Sequence, residues 1–382
     1  MTENQHPVDP SASVRPDLLV RPELLVRRDL PVRHGLPAPA YSRLAALAAY
    51  RPARGVESTE LAPRWGVDAQ WIERRVGVRR RGVADAEETV SAMAAAAARK
   101  ALAEGGVPAG RVDAVVVAGC SARSPMPSTA ARVAAALGLE SPGVFDLNAA
   151  CAGFCYALGV ADGLVRAGTA GCVLVAGAER MSDWVDPGDR DTAPVFADGA
   201  GAALVTAAAH PGIHPTVWGS APELADLITI PDGGTEADTG TEAGTEAGTE
   251  TGTGAGAEAG GGPDGERWLR MQGRAVYRWA LDGLADVARR ACERAGLHPH
   301  ELRGFVPHQA NLRMIEAIAA QLGAEHAVLA RDIVEAGNTS AASVPMALDA
   351  LRRRGEVAPG DPVLLLGFGA GLSYAGQVVR VP

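Results

Sequence analysis

Val144-Phe-Asp-Leu-Asn-Ala-Ala-Cys151-Ala-Gly-Phe-Cys155-Tyr-Ala-Leu158 is the stretch from which the fold can be read. Residues 144–147 read as a buried strand, and residues 152–166 as a helix apolar on nearly every side, hence buried as well. Cys151 falls where the strand gives way to the helix. A thiol at a first helical turn faces unpaired backbone N–H groups and the positive end of the helix dipole, and both favour thiolate over thiol. Such a cysteine is a candidate nucleophile. Free cysteine is also among the most buried residue types, so a small hydrophobe in a core fits the same local pattern.

Outward from this stretch, strand and helix signals alternate. Residues 114–118 are a continuous Val/Ala strand, and 128–137 a helix opening on a Ser128 cap. Strands follow at 172–176 and 201–206. The rhythm then repeats with helix 274–295, strand 304–306, helices 312–322 and 343–353, and strands 362–366 and 372–379. Two similar halves predict a layered α/β architecture with internal duplication. The first half takes residues 39–212 and the second 273–382, joined by a connection over 213–272. Polar residues gather at strand ends in each half, where sites form in such folds.

Two segments stand apart. Residues 1–38 repeat a hexad that begins Val14-Arg-Pro-Asp-Leu-Leu, with prolines inside the units, and read as a disordered extension. Residues 233–265 repeat Gly-Thr-Glu-Ala, with too few apolar side chains to offset the entropy of ordering. They read as a solvated insertion whose removal leaves the fold intact.

Bulk composition removes several classes. The chain has 382 residues, 36 basic against 45 acidic, for a net charge of −9 spread along its length, which disfavours nucleic acid as a partner. No apolar run approaches the ~18–20 residues of a membrane span, and the N-terminus lacks an apolar signal core, so the expected location is cytoplasmic. Five cysteines are an odd number for a disulfide framework, and none has Cys or His partners at zinc spacing, so no metal is expected. Gly199-Ala-Gly201 and Gly367-Phe-Gly-Ala-Gly371 run into strands rather than opening helices, which argues against dinucleotide loops.

Two downstream segments offer partners for Cys151. Gly304-Phe-Val-Pro-His308-Gln-Ala-Asn311 puts His308 at a strand end and Asn311 at a helix cap. Glu335-Ala-Gly-Asn338-Thr-Ser-Ala-Ala-Ser343 puts Asn338 in a turn before a buried helix. A thiolate needs a donor or cation nearby, and acyl transfer needs donors aimed at the developing oxyanion. Taken singly, His308 also fits a satisfied core or surface histidine, and Asn338 a plain helix cap.

Taken together, Ala149-Ala-Cys151-Ala-Gly-Phe154, Pro307-His-Gln-Ala-Asn311 and Gly337-Asn-Thr-Ser-Ala-Ala-Ser343, in this order, resemble the β-ketoacyl-ACP synthase III enzymes of the thiolase superfamily. Gln70-Trp-Ile72 with Arg75 and Gly77, Asp186-Pro-Gly-Asp-Arg190, Phe196-Ala-Asp-Gly-Ala-Gly201 and the Gly367–Gly371 run extend the resemblance from about residue 39 to the C-terminus, the insertion excepted. It implies a thiolase-like fold, internally duplicated in five αβαβα layers, and a homodimer. The implied reaction takes an acyl group from an acyl-CoA onto Cys151, then condenses it with malonyl-ACP, the malonyl thioester of the acyl carrier protein. Loss of CO2 drives the condensation. CoA enters as a substrate thioester, with no resident cofactor.

By the same resemblance, His308 and Asn338 hold the malonyl thioester carbonyl and the resulting enolate. The backbone N–H groups of Cys151 and Ala370 form the oxyanion hole. The family usually has Gly at position 370, and Ala serves there if its φ is negative. Trp71 and Arg190 are implied to sandwich the CoA adenine. Arg75, Arg274 and Asn311 would make further CoA contacts, and Arg278 and Arg313 would face the acidic carrier protein. Met126 is implied to reach across the dimer into the partner's acyl pocket, with Met181 lining the wall. Two flexible side chains in place of a rigid aromatic predict a primer larger than acetyl. Papain-like proteases share the Cys, His, Asn order but not its surroundings, while elongating ketosynthases use two histidines and thiolases a second cysteine. The alternatives inside the family are a non-condensing acyltransferase and a silent polyketide partner subunit. The intact Cys-His-Asn set argues against both.

Overall fold

One arrangement of strands and helices occurs twice. The computed structural model describes residues 39–230 and 268–382, so the hexad tail (1–38) and the Gly-Thr-Glu-Ala insertion (233–265) lie outside the described residues. The first half runs β1 (Tyr41–Tyr50), β2 (Gly55–Glu57), α1 (Ser58–Leu61), α2 (Ala69–Val76), β3 (Arg80–Gly82), α3 (Val90–Glu104), β4 (Ala114–Ala118), α4 (Thr129–Leu137), β5 (Gly143–Leu147), α5 (Gly153–Arg166), β6 (Cys172–Arg180) and β7 (Asp198–Ala208). The second runs β8 (Val217–Ser220), β9 (Ile228–Thr229), β10 (Arg270–Met271), α6 (Gly273–Arg294), β11 (Gly304–Pro307), α7 (Leu312–Leu322), β12 (Val328–Leu329), α8 (Ile333–Ala336), α9 (Ser343–Arg353), β13 (Pro362–Gly369) and β14 (Ser373–Arg380).

The two main sheets have orders β1-β7-β6-β4-β5 and β8-β14-β13-β11-β12. In each, the last three strands are mutually parallel and the first two join antiparallel, so the sheets match strand for strand. β8 is the outer strand of the second sheet, so part of the connection 213–272 is built into that half.

Side-chain alternation explains the layers. In β4, Val116 faces a core shared with α5 and α9, while Val115 and Val117 face α3 and α4. In β13, Leu365 faces the shared core, and Leu364 and Leu366 face α6 and α7. Both sheets are thus covered on two faces, giving the five αβαβα layers, with α5 and α9 in the middle. The α5 helix has no side-chain cap. Complete burial of Phe154 and Leu158, each contributing about 1.5–3 kcal/mol, outweighs the ~1 kcal/mol that a cap would add. The glycine patterns lie where strands touch this middle layer. A Cβ at Gly201 would fall 2.7 Å from Cβ of Pro345 in α9, and one at Gly367 would fall 2.9 Å from Cα of Ala152, just before α5.

One expectation is corrected. β5 is not buried: Val144 and Phe145 are 37% and 38% exposed. Among the described residues the strand lies at the sheet edge, with β4 as its one neighbour in the sheet.

Candidate active site

The duplication brings two matching turns to the centre. The first follows β5 directly and the second follows β12 by way of α8, and each leads into a middle helix. In the first, Asn148 Oδ1 accepts the N–H of Ala150 at 3.1 Å; in the second, Asn338 Oδ1 accepts that of Ser340 at 2.9 Å. Ala150 and Ser340 both hold left-handed φ, +44° and +47°, and each opens a 3-10 turn. Backbone strain of this kind, of order 1–3 kcal/mol, persists only where surrounding contacts over-determine it. Cys151 sits in the first turn, ahead of α5 rather than within it.

Cys151, His308, Asn338 and Ala370 line one cavity of about 1010 Å3. The backbone N–H groups of Cys151 itself and of Ala370 reach the thiol. Ala370 is not among the residues with positive φ, so the condition for its N–H to serve is met. Gly369 makes the approach possible, since a Cβ there would fall 2.6 Å from Cβ and 2.9 Å from Sγ of Cys151.

The resting thiol is neutral, contrary to the expectation from its place at a helix start. Burial pushes its pKa up to about 11; the Ser340 hydroxyl and the two N–H groups favour the thiolate but are outweighed, with the Glu179 carboxylate adding to the rise.

His308 is 2% exposed, and burial lowers its pKa to about 3, so the imidazole is neutral. Its Nδ1 lies 2.7 Å from Ser343 Oγ, and the ring meets Phe368 edge-on. Ser343 Oγ also accepts the Gln309 N–H at 3.4 Å. The Nδ1 contact fits either tautomer of the neutral ring; with Ser343 donating to Nδ1, Nε2 carries the proton and is a donor for the cavity. Asn338 is anchored by backbone bonds to Val195 and Ala197. Its Oδ1 is held by Ser340, so the Nδ2 amide is the group it can offer to a ligand.

The structure draws in residues that sequence reasoning passed over. Cys120, at the end of β4, and Ser340 line the same cavity. Glu179, fully buried at the end of β6, accepts hydrogen bonds from the N–H groups of Cys120 and Ser121 and from the Ser121 and Ser340 hydroxyls. The signal was positional: β4 is the counterpart of β11, whose end carries His308.

Arg75, Arg190, Arg274, Arg278, Asn311 and Met181 also line the cavity. Trp71 does not; its ring carries the Arg75 guanidinium at 5.0 Å, and Arg75 pairs with Asp191 at 2.6 Å. Arg190 is exposed at the rim. Asn311 caps α7 through Oδ1 and donates Nδ2 to the Arg75 carbonyl at 3.0 Å. Arg313 is exposed and outside the lining. Met126 is 82% exposed and does not reach the cavity of its own chain.

Residues 145–222 match the family described as 3-oxoacyl-[acyl-carrier-protein (ACP)] synthase III, and residues 292–381 match its C-terminal part. The chain is 47% identical over 344 residues to β-ketoacyl-[acyl-carrier-protein] synthase III 4 of Streptomyces coelicolor, covering 89% of this chain and 99% of that one. It is 42% identical to β-ketoacyl-[acyl-carrier-protein] synthase III of Mycobacteroides abscessus, covering 89% and 94%. Among solved structures, the priming β-ketosynthase of the R1128 polyketide pathway superposes with a TM-score of 0.81 at 40% identity, covering 91% and 98%. The synthase III from Pseudomonas aeruginosa superposes with a TM-score of 0.78 at 34% identity, covering 90% and 98%. Sequence kinship and shared architecture therefore meet along almost the whole described chain, which belongs to the β-ketoacyl-[acyl-carrier-protein] synthase III family, acyltransferases of thiolase-like fold.

Proposed function

We propose that the chain primes fatty-acid or polyketide synthesis in two half-reactions. In the first, Cys151 attacks an acyl-CoA and the Cys151 and Ala370 N–H groups hold the oxyanion; CoA leaves as a thiol. In the second, malonyl-ACP enters, and His308 Nε2–H and Asn338 Nδ2 donate to its thioester oxygen. Loss of CO2 leaves negative charge on that oxygen, and two neutral donors stabilise it. The resulting carbanion attacks the acyl-cysteine. The observation that carries this reading is a neutral His308, with Nδ1 tied to Ser343, sharing one cavity with Asn338 and Cys151.

Trp71, Arg75, Arg190, Arg274 and Asn311 would bind CoA. Exposed Arg278 and Arg313 suit an acidic carrier protein. Both substrates are water-soluble cytoplasmic species, and no helix among the described residues is long and apolar enough to cross a membrane. The open β5 edge and exposed Met126 support a homodimer in which Met126 closes the partner's acyl pocket, beside Met181.

Mass spectrometry of the protein treated with acyl-CoA tests the first half: a Cys151 adduct is expected, and its absence overturns the reading. His308→Ala and Asn338→Ala are expected to keep the adduct while CO2 release from malonyl-ACP falls by about 10²-fold or more. Acyl transfer without CO2 release from the unaltered protein would instead mark a non-condensing acyltransferase. Across a primer panel, a branched or longer acyl-CoA is expected to outpace acetyl-CoA.

A further inference from the structure

We propose that Arg81 is a positioning residue for Asn338: by holding the chain at Pro194, it fixes where the Asn338 amide stands in the cavity. The inference rests on the condensation reading above, in which Asn338 acts only in the second half-reaction.

Arg81, in β3, is 2% exposed. Both of its hydrogen bonds leave from Nη2, to Ser58 Oγ at 2.8 Å and to the Pro194 carbonyl at 3.2 Å. Nε and Nη1 have no partner among the described residues. Burial pushes its pKa down to about 10, so the guanidinium remains a cation at neutral pH. A buried cation with two unmatched donors costs stability, and an apolar side chain of similar volume would fill the space at less cost. Packing therefore does not account for an arginine here; the groups that Nη2 holds do.

Pro194 opens the segment that carries Asn338. The Val195 carbonyl accepts the Asn338 N–H at 2.9 Å, and the Asn338 carbonyl accepts the Ala197 N–H at 2.9 Å. Phe196, between them, pairs with Asn338 as a parallel bridge. The preceding residue is pressed onto the same support. A Cβ at Gly337 would fall 3.1 Å from Cβ of Arg81 and 2.8 Å from Cβ of Ala197. The other partner of Nη2 is anchored in turn. Ser58 Oγ donates to the Val78 carbonyl at 2.8 Å, and the Ser58 N–H donates to the Arg79 carbonyl at 2.7 Å. The Arg79 N–H donates to the Val334 carbonyl of α8 at 2.8 Å, which closes the frame just ahead of Gly337. Asn338 thus stands between a backbone segment tied through Arg81 and a helix tied through Arg79. His308 is held instead by Ser343 and by the Leu366 carbonyl, and Cys151 by its turn ahead of α5, so the Arg81 hydrogen bonds reach neither.

The test is the rate of CO2 release from malonyl-ACP, compared with Cys151 acylation by acyl-CoA on the same full-length samples. Arg81→Met keeps an unbranched side chain but offers no donor to Pro194. It is expected to lower CO2 release by about tenfold or more, since an ångström-scale misplacement of a positioned group suffices for such a loss, with acylation changed by less than about twofold. Arg81→Lys restores a donor and is expected to recover part of the loss. On an Asn338→Ala background, Arg81→Met is expected to cause no further fall, because the group it positions is gone. Full CO2 release by Arg81→Met, an equal loss in both half-reactions, or a further fall on the Asn338→Ala background overturns the proposal and leaves the condensation reading standing. If Arg81→Met does not fold, Ser58→Ala, which removes the Nη2 partner at 2.8 Å, decides by the same comparison. An unaltered protein that acylates Cys151 but releases no CO2 overturns both readings together.

Discussion

A histidine whose pKa is held near 3 is a fixed hydrogen-bond donor at any ordinary pH, and that makes His308 a stability probe as well as a site residue. In the unfolded chain the imidazole has its ordinary pKa of 6.5. Below that value the unfolded state binds a proton that the folded state refuses, so stability is lost as pH falls from 6.5 towards 3 and is unaffected above 6.5. Between about pH 7 and pH 5 the loss from this residue is about 2 kcal/mol. Urea denaturation at the two pH values is expected to show that loss in the native chain and not in His308→Asn; equal losses would mean His308 is not buried in neutral form. Cys151 carries the opposite lesson. Its candidacy as a nucleophile was legible from the strand-to-helix junction. Its neutrality was not, because the effects that raise its pKa come from burial and from Glu179 on a different strand.

At the scale of elements, the strands and helices read from composition and periodicity appear with small shifts at their ends, while β1, α2 and α3 were not read from the sequence. The helices expected at 312–322 and 343–353 appear as Leu312–Leu322 and Ser343–Arg353, and Ser128 caps α4 through its hydroxyl. What local pattern could not supply was which turns meet. Gly369 shows the consequence. It ends β13 in the second half and packs against Cys151 of the first, and nothing near it in sequence names that neighbour. Gly369→Ala would push a methyl group into the thiol and displace the Ala370 N–H from the oxyanion position. We expect Cys151 acylation to fall by about 10²–10³-fold, with a stability cost of about 1–3 kcal/mol from overpacking. Melting temperature and adduct formation measured on the same sample check this, and native acylation in the variant would refute the packing.

For the molecule as a whole, the open edge of β5 is the feature a single chain leaves unfinished. An exposed strand edge with Val144 and Phe145 beside it is a template for pairing. Phe145→Asp is expected to convert a dimer into a monomer by light scattering. Because Met126 would then no longer close a partner's pocket, the preference for larger primers should weaken. A native monomer would remove this account of Met126.

The sequence by itself determined the duplicated α/β order, the buried middle helices and the Cys151, His308 and Asn338 triplet, since periodicity and motif order are local properties of the chain. Tertiary structure alone decided that these three share a cavity, that Arg75 lies over the Trp71 ring, and that β5 is an edge. It also decided that Glu179, Ser340 and Cys120 belong to the site. Their places depend on distances between strands far apart in sequence and on burial. These are fixed only when the two halves close around α5 and α9.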